Sequence, residues 1–303
     1  MFNSTHTLVG LALAHTGLDR WSRHAAWTAV IASNLPDIDI AAGLYDMPAY
    51  IEYHRGITHA IAAIPVLSVA LAAAIYRFSG NFRRTFVVAL LAMSTHPVLD
   101  YLNTYGLRPF LPFDGRWFYG DALFIIDPVF DAILIAALAA GHFAPLRRRQ
   151  FAWIGLAAVA LYVGGRLELR NLSRSHLSRF EKAAVSPLIL NPFVWIGLID
   201  NPNDVSVVVV DPMRGLVGDP DRKTKAPDSE IVTRASQSRS GKAFLGFARF
   251  PVTNVERLES GYLVRFFDVR YYNGSNAAFG ARVHLDSELQ VVDESLSFTQ
   301  RMD

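Results

Sequence analysis

The chain has 303 residues, of which 51% are hydrophobic and 18% are charged, and its mean hydropathy is +0.23. The absence of cysteine excludes disulfide scaffolds, thiolate metal centres and cysteine nucleophiles. A formal net charge of +2 gives no reason to expect a broad nucleic-acid-binding surface, so no nucleic-acid partner is expected. The apolar content also excludes intrinsic disorder as the main state of the chain.

The apolar residues are concentrated in the first half of the sequence. Residues 57–76 contain no Asp, Glu, Lys or Arg, and a stretch of about 20 such residues suffices to cross a bilayer. The sequence predicts six helical segments in this half, at residues 7–18, 25–42, 57–78, 85–102, 122–143 and 150–165. We therefore expect a mainly α fold, a polytopic membrane bundle of four to six helices followed by a small C-terminal β domain. A buried helical bundle in a soluble protein is the alternative.

The second half has a different pattern. Residues 166–182 are charged and amphipathic, which is typical of a connector or of a helix on a membrane surface. After them, β-branched and aromatic runs separated by turn residues predict strands at 205–210, 243–250, 262–272, 278–285 and 289–298. The expected organisation is a membrane helical metal-site domain at 1–165, a connector at 166–195 and a water-facing β-rich domain at 196–303.

Arginine placement predicts an orientation for this bundle. The connections near residues 19–24, 77–84 and 144–149 are rich in arginine, and the alternate connections carry fewer, interleaved with acids. Because basic loops stay on the cytoplasmic side, we expect a multi-pass inner-membrane protein with its other loops and its β domain on the outer, periplasmic side.

The polar residues of the apolar half fall at corresponding ends of the predicted segments. In the six-segment arrangement these residues lie at the same end of the bundle. They are His6, Asn34, Asp37, Asp39, His54, His59, His96, Asp100 and Asp127. An Asp at the centre of a membrane helix costs about 2.5–3.5 kcal/mol. A bound divalent cation would reverse that penalty, and exposure to interfacial water would also relieve it.

His96 and Asp100 lie one helical turn apart, so their side chains share a helix face. Such a pair suits two ligands of one ion, or a carboxylate that fixes a histidine tautomer. Imidazole and carboxylate without thiolate suit zinc, iron or manganese, and the number of candidates allows two ions. Paired ions suit phosphoester hydrolysis, for which Arg55 and Arg116 are candidate phosphate-binding residues.

Several motifs, in their order and spacing, resemble the YdjM-like inner-membrane-associated metal-dependent hydrolases of bacteria. These motifs are Thr5-His6, Asn34-Leu-Pro-Asp37-Ile-Asp39, His54-Arg-Gly-Ile-Thr-His59, Thr95-His96-Pro-Val-Leu-Asp100, Pro112-Phe-Asp-Gly-Arg-Trp117 and Ile126-Asp127-Pro128. The resemblance extends over residues 1–200 and is loose in the β region.

The family is distantly similar to zinc-dependent phospholipase C, and this similarity implies a role for each candidate. The implied ligands of a divalent metal, zinc before others and one ion or two, are His6, Asp37, His54, His59, His96 and Asp100. Asp39 or Asp127 would orient ligands or act as the catalytic base, and Asn34, Arg55 and Arg116 would bind substrate.

The function that follows is a membrane-embedded metal-dependent hydrolase. It would cleave a phosphoester or lipid-linked substrate with a water activated by the metal. The alternative is a non-catalytic membrane protein with a structural metal site and a partner-binding tail. A metal-independent lipid phosphatase with a histidine nucleophile is a further alternative, because Arg84 precedes the His96 and Asp100 pair.

Overall fold

The computed structural model describes residues 1–188, 191–271, 276–277, 279–297 and 300–301. The chain divides into two compact units. Unit 1 comprises Met1–Asp39, Arg55–Asn171 and Pro187–Pro192. Unit 2 comprises Ile40–His54, Leu172–Ser186 and Phe193–Asp303.

The described α-helices are numbered in chain order. They are α1 Asn3–His15, α2 Ala25–Asn34, α3 Met47–Tyr53, α4 Ala63–Ser79, α5 Phe82–Tyr101, α6 Pro128–Phe143, α7 Arg148–Ser175, α8 Glu230–Gln237 and α9 Arg239–Phe247. The strands are β1 Ala183–Pro187, β2 Trp195–Asp200, β3 Asp204–Asp211, β4 Gly215–Thr224, β5 Pro251–Leu258, β6 Gly261–Asp268, β7 Asn276–Ala277, β8 Gly280–Asp286, β9 Val291–Ser297 and β10 Gln300–Arg301.

Unit 1 is helical, and its helices begin and end where the sequence supplies the local chemistry. Asn81 caps α5 by accepting from the backbone N–H of Arg84, and Asp127 caps α6 ahead of Pro128, which is favoured in the first turn of a helix. Helix α2 ends at Asn34, because Pro36 has no N–H to continue it, and the chain goes on as 3-10 turns over Leu35–Leu44.

Alanine-rich packing holds unit 1 together. Helix α5 packs against α2 and α4, and α1 packs against α2. The core between these helices contains Ala29, Ala89 and Ala92, whose small side chains are completely buried and let the helix backbones approach closely. Because the helices pack this closely, the turns next to α2 and α4 lie near α5, and the candidate site is formed by residues of these turns and of α5.

The prediction of a polytopic membrane bundle is wrong. Among the described residues, one helix is long and apolar enough to cross a membrane, Pro145–Ser175, and the pair Met47–His59 and Ala63–Ser79 would pass only jointly, across an 82° bend. The predicted segment 25–42 contains an α-helix of only 10 residues, well short of the ~20 that a span requires. The multi-pass topology, and the periplasmic placement that depended on it, therefore lose their support.

Helix α7 also runs through residue 165, where the sequence analysis placed a domain boundary. The apolar half of this helix and its charged half are thus continuous, and the expected boundary between the helical domain and the connector stays a prediction.

Unit 2 contains a C-terminal region of two four-stranded sheets, which agrees with the expected β-rich part. The first has the order β1-β2-β3-β4 and the second β5-β6-β8-β9, with antiparallel neighbours throughout the second, and β7 pairs with β10. Apolar residues from both four-stranded sheets form one core, in which Leu198 and Val205 meet Phe250, Val252 and Phe267.

One predicted strand of this region, 243–250, is wrong, because most of it lies in α9. Ser238 caps that helix by accepting from the backbone N–H of Gly241, and Phe244 and Phe247 are buried one turn apart. Three ends of predicted strands, at Tyr272, Ala278 and Phe298, lie outside the described residues.

Candidate metal centre

Four buried side chains from three segments of unit 1 converge on one point. His59 Nε2 and His96 Nε2 lie 3.0 Å apart. Asp37 Oδ1 is 3.3 Å from the first of these nitrogens and 3.4 Å from the second. Asp100 Oδ2 is 3.3 Å from each of them. These four residues form a group able to hold a metal ion.

Local structure explains why these four meet. Asp37 follows Pro36 in the 3-10 segment after α2, and His59 ends the short 3-10 turn Ile57–His59 that precedes α4. His96 and Asp100 project from one face of α5, one turn apart. Because α5 packs between α2 and α4, the turns next to those two helices lie against its last turns.

The spacing of the four atoms fits a shared ion. Nitrogen and oxygen ligands about 2.0–2.2 Å from zinc stand about 3.3 Å apart in a tetrahedral arrangement. Five of the six pairwise separations, at 3.0–3.4 Å, match this value. Two imidazoles and two carboxylates are also ligands that zinc, iron and manganese accept.

Both histidines are held through the ring nitrogen that faces away from this point. His96 Nδ1 lies 2.6 Å from the backbone oxygen of Ser33, so it carries the proton and leaves Nε2 as the ligand atom. His59 Nδ1 lies 3.2 Å from Asp39 Oδ2, which also accepts a hydrogen bond of 2.6 Å from Thr58 Oγ1. Such partners fix the tautomer and the ring orientation of metal-binding histidines.

Arg55 holds the other oxygen of Asp100. Arg55 Nη2 is 3.0 Å from Asp100 Oδ1, and Arg55 Nη1 donates to Asn103 Oδ1 and to the backbone oxygen of Gly106. The Arg55 guanidinium also lies over the Tyr105 ring, 4.5 Å from its centroid. Arg55 is therefore engaged inside the protein, in contact with a candidate ligand, and its predicted role in substrate binding stays a prediction.

The electrostatics keep the carboxylates ionised. Burial by itself would raise the pKa of Asp100, but the Arg55 guanidinium and the adjacent His59 ring hold that pKa well below its usual range. Hydrogen bonds from His59 and His96 likewise outweigh burial and lower the pKa of Asp37. Hydrogen bonds to Asp100 and Asp37 also outweigh burial at the two rings, and they raise the pKa of His59 to about 10 and that of His96 above its usual value. A divalent cation would therefore bind by displacing a proton from each ring.

His6 lies beside this group but is not one of its four members. Its ring stacks on that of His96, with centroids 3.8 Å apart and an angle of 13° between the planes. Its Nε2 is 3.4 Å from Asp100 Oδ1, and neither ring nitrogen has a hydrogen-bond partner among the described residues. Burial lowers the pKa of His6 to about 4, so this ring is neutral near pH 7.

The other predicted site residues are not members of this group of four, and the ligand role predicted for His54 stays a prediction. His54 belongs to unit 2 and stacks on Tyr50. Asn34 donates to Thr7 Oγ1 and to the backbone oxygen of Val30. Arg116 is exposed and pairs with Asp114 at 2.6 Å. The substrate-binding roles of Asn34 and Arg116 stay predictions.

Asp127 has structural partners. Its Oδ1 accepts from the backbone N–H groups of Val129 and Phe130, and both carboxylate oxygens lie 3.1 Å from Tyr162 Oη. These bonds join the start of α6 to α7, and the catalytic role predicted for Asp127 stays a prediction.

Sequence reasoning missed the groups that support the ligands. The backbone oxygen of Ser33 and the side chain of Asn103 carry no spacing pattern, and they contact the site only because the chain folds. Thr58 could have been noted, since it directly precedes His59 within the His54-to-His59 motif.

Comparison with known proteins gives the affiliation of the chain. The family of YdjM inner membrane proteins matches residues 1–171, and the YfhP C-terminal alpha/beta plait domain matches residues 230–302. A protein described as uncharacterized protein YfhP, from Bacillus subtilis (strain 168), is 27% identical over 96% of this chain and 93% of its own length. No solved structure matches. The family match spans more than half of the sequence and includes all four converging residues, so the chain belongs to the YdjM inner membrane protein family.

Proposed function

We propose that this membrane-associated protein is a metal-dependent hydrolase that cleaves a phosphoester in a lipid or lipid-linked substrate, with zinc as the metal. The observation that carries the proposal is the convergence of Asp37, His59, His96 and Asp100 with the ligand spacing of one small divalent ion. Membrane association, which the family match supports, would place lipid substrates within reach of the site.

A bound divalent ion would act as a Lewis acid toward a phosphoryl oxygen and would lower the pKa of a water molecule. The residues of the chain supply the rest. Asp39 holds His59 by its Nδ1, and Arg55 holds Asp100 by its Oδ1, so both ligands keep a fixed direction. Asp37 is the least buried of the four, with 8% of its surface exposed, so a substrate would approach the group from its edge.

A structural metal site is the second candidate, and one observation favours it. Four protein ligands complete a tetrahedral shell, which is typical of structural zinc, whereas catalytic zinc keeps one position open. In a hydrolase, one carboxylate would have to give up its position, or the shell would have to expand to five ligands. Asp37 is the candidate for this change, because it lies in a short 3-10 segment rather than in a long helix.

The test uses the full chain purified in detergent. Bound metal is measured by elemental analysis, and hydrolysis of a chromogenic phosphodiester and of phospholipids is measured with and without a chelator. A hydrolase should contain about one ion per chain and should lose turnover on chelation and regain it with zinc. Metal without turnover, and a chelator effect on thermal stability alone, would establish the structural role instead.

Two variants and a control make the result specific. His96→Phe and Asp100→Ala should abolish metal binding, since each removes a ligand atom. Asp114→Asn removes a half-buried carboxylate outside the group of four and should leave metal content unchanged. A folded wild-type protein without metal, even after incubation with zinc, would refute both candidate functions.

A further inference from the structure

A cavity of about 370 Å³ opens in unit 1 between the turn after α1 and the beginning of α7. Its lining includes Arg20 and Trp21 from the turn and Arg149 and Trp153 from α7. Neither the metal centre nor any residue proposed for it contributes to this lining. The cavity therefore needs an explanation of its own.

The walls of this cavity are tied together by specific contacts. Arg148 forms an ion pair with Asp19, which joins α7 to the turn. Arg84, near the start of α5, donates to the backbone oxygen of Trp21 at 3.1 Å. Gly17 has φ of +125°, and the Arg149 side chain lies against it, so the turn needs glycine there. The two tryptophans thus line a built recess.

The cavity also contains two guanidinium groups that the protein does not neutralise. Within the described part of the chain, the side chains of Arg20 and Arg149 have no ion-pair or hydrogen-bond partner, whereas their neighbour Arg148 is paired. Guanidinium groups bind phosphate oxygens through paired hydrogen bonds, and two of them beside one cavity suit a monoanionic phosphodiester.

The surroundings of the arginines are apolar, which distinguishes a lipid from a free anion. Trp21 and Trp153 are 42% and 55% exposed, and tryptophan is enriched where a membrane meets water. From Trp153 one exposed face continues along α7 through Ala157, Ala160 and Leu161. This face belongs to the one single helix of the described residues that is long and apolar enough to cross a membrane.

We propose that this cavity binds the headgroup of an anionic phospholipid. Arg20 and Arg149 would contact its phosphate, the tryptophans would flank the glycerol region, and the acyl chains would lie along the exposed face of α7. The inference is independent of the proposed hydrolase, because it concerns lipid held at a second place and requires no metal.

The experiment uses the full chain in a non-ionic detergent and titrates it with dihexanoylphosphatidylglycerol, a short-chain anionic lipid, by calorimetry. Dihexanoylphosphatidylcholine and inorganic phosphate are titrated in parallel. We expect the anionic lipid to bind at least about tenfold more tightly than the zwitterionic lipid or phosphate. Equal affinity for the two lipids, or displacement of the lipid by an equal concentration of phosphate, would overturn the proposal.

The decisive comparison is between two pairs of arginines. The double variant Arg20→Gln with Arg149→Gln should weaken binding of the anionic lipid at least about tenfold. The matched control, Arg77→Gln with Arg83→Gln, removes the same charge from exposed arginines outside the cavity. It should change binding less than about twofold, because salt screens distant charges. Equal losses in both variants would show only non-specific attraction and would refute the site.

Thermal unfolding and metal content, measured on every variant, confirm that it is folded. If the glutamine pair does not fold, Arg20→Lys with Arg149→Lys keeps both charges but loses the paired hydrogen bonds. This variant should bind the anionic lipid at least about threefold more weakly than the wild type. Unchanged affinity would count against the proposed contact.

Discussion

Arg55 Nη2 lies 3.0 Å from Asp100 Oδ1, while Asp100 Oδ2 faces the Nε2 atoms of His59 and His96 at 3.3 Å. The arginine thus occupies the oxygen of the carboxylate that does not face the metal-binding point. One oxygen of Asp100 thus contacts Arg55 while the other faces the candidate ion. Arg55 therefore positions a ligand, and the affinity for metal measures this role.

Replacing Arg55 should weaken metal binding without removing a ligand. We expect Arg55→Ala to lower zinc affinity by about 10–100-fold, as is usual when the partner of a ligand is lost. Arg55→Lys should recover part of this loss, because it restores charge but not the paired bonds to Asn103 and Asp100. Competition with a chelating dye measures the affinity, and Arg116→Ala is the exposed control. An affinity in Arg55→Ala equal to that of the wild type would contradict the assignment.

A methyl group added at Gly10 should disturb the site from a distance. A Cβ there would stand 2.4 Å from Ser33 Oγ and 2.9 Å from the backbone oxygen of Ala29, so α1 and α2 would have to separate. We expect Gly10→Ala to destabilise the protein by about 1–3 kcal/mol. Metal affinity should fall as well, because the backbone oxygen of Ser33 holds His96.

The control for this change is Gly164→Ala in α7. A Cβ at that position meets nothing within 4 Å, and alanine favours the helix by roughly 0.5–1 kcal/mol. Thermal unfolding should therefore show that Gly10→Ala is less stable than the wild type and that Gly164→Ala is slightly more stable. Metal titration should show a loss of affinity in Gly10→Ala alone. Equal behaviour would mean that the contact of α1 with α2 does not limit stability.

The stacked ring of His6 provides a test of the number of ions. Arg55 already places a positive charge at Asp100 Oδ1, the oxygen nearest to His6, and a second cation there would meet its repulsion. We therefore expect His6→Phe, which keeps a flat ring against His96, to retain the full metal content of the wild type. Elemental analysis of the purified His6→Phe variant measures this metal content. Loss of half of the bound metal would instead show that His6 is a ligand of a second ion.

Unit 2 contains a buried ion pair whose pH dependence can be predicted. Asp268 and Arg270 are both buried, with Arg270 Nη2 at 2.8 Å from Asp268 Oδ2. Burial alone would raise the pKa of Asp268, but Arg270 and the backbone N–H groups of Arg249 and Arg270 lower it overall. A carboxyl with a depressed folded pKa stabilises the protein above its unfolded pKa of about 4, and this contribution disappears as pH falls toward the folded value.

We expect Asp268→Asn to cost about 3–5 kcal/mol at pH 7, because the charge of Arg270 is left buried. The difference from the wild type should shrink as pH falls below about 4. Denaturant unfolding at several pH values measures both effects, and Asp293→Asn, at an exposed position of β9, is the control. A difference that stays constant down to pH 2 would contradict the assigned pKa direction.

Some of the site could be predicted because its signals are local. His96 and Asp100 share a helix face by their spacing in the sequence. The same reasoning could not distinguish ligands from their supports. Nothing in the sequence indicated that Arg55, a candidate phosphate-binding residue, contacts Asp100, Asn103 and the backbone of Gly106 in the fold.

The membrane prediction was wrong for a related reason. Freedom from charge over residues 57–76 satisfies the composition of a span, but the chain turns at His59 and α4 begins only at Ala63. Composition reports how apolar a stretch is, and backbone geometry decides whether it is one straight helix. The strand predicted at 243–250 failed similarly, because a capped helix buries Phe244 and Phe247 as well as a strand would.

The sequence by itself determined the two-part character of this protein, its family, and the histidines and acids from which the candidate centre is made. These features depend on composition and on spacing within single segments. Only the tertiary structure decided which of those residues meet. Asp37, His59 and the α5 pair are brought together by the packing of α5 against α2 and α4, and contacts between distant segments leave no trace in local spacing.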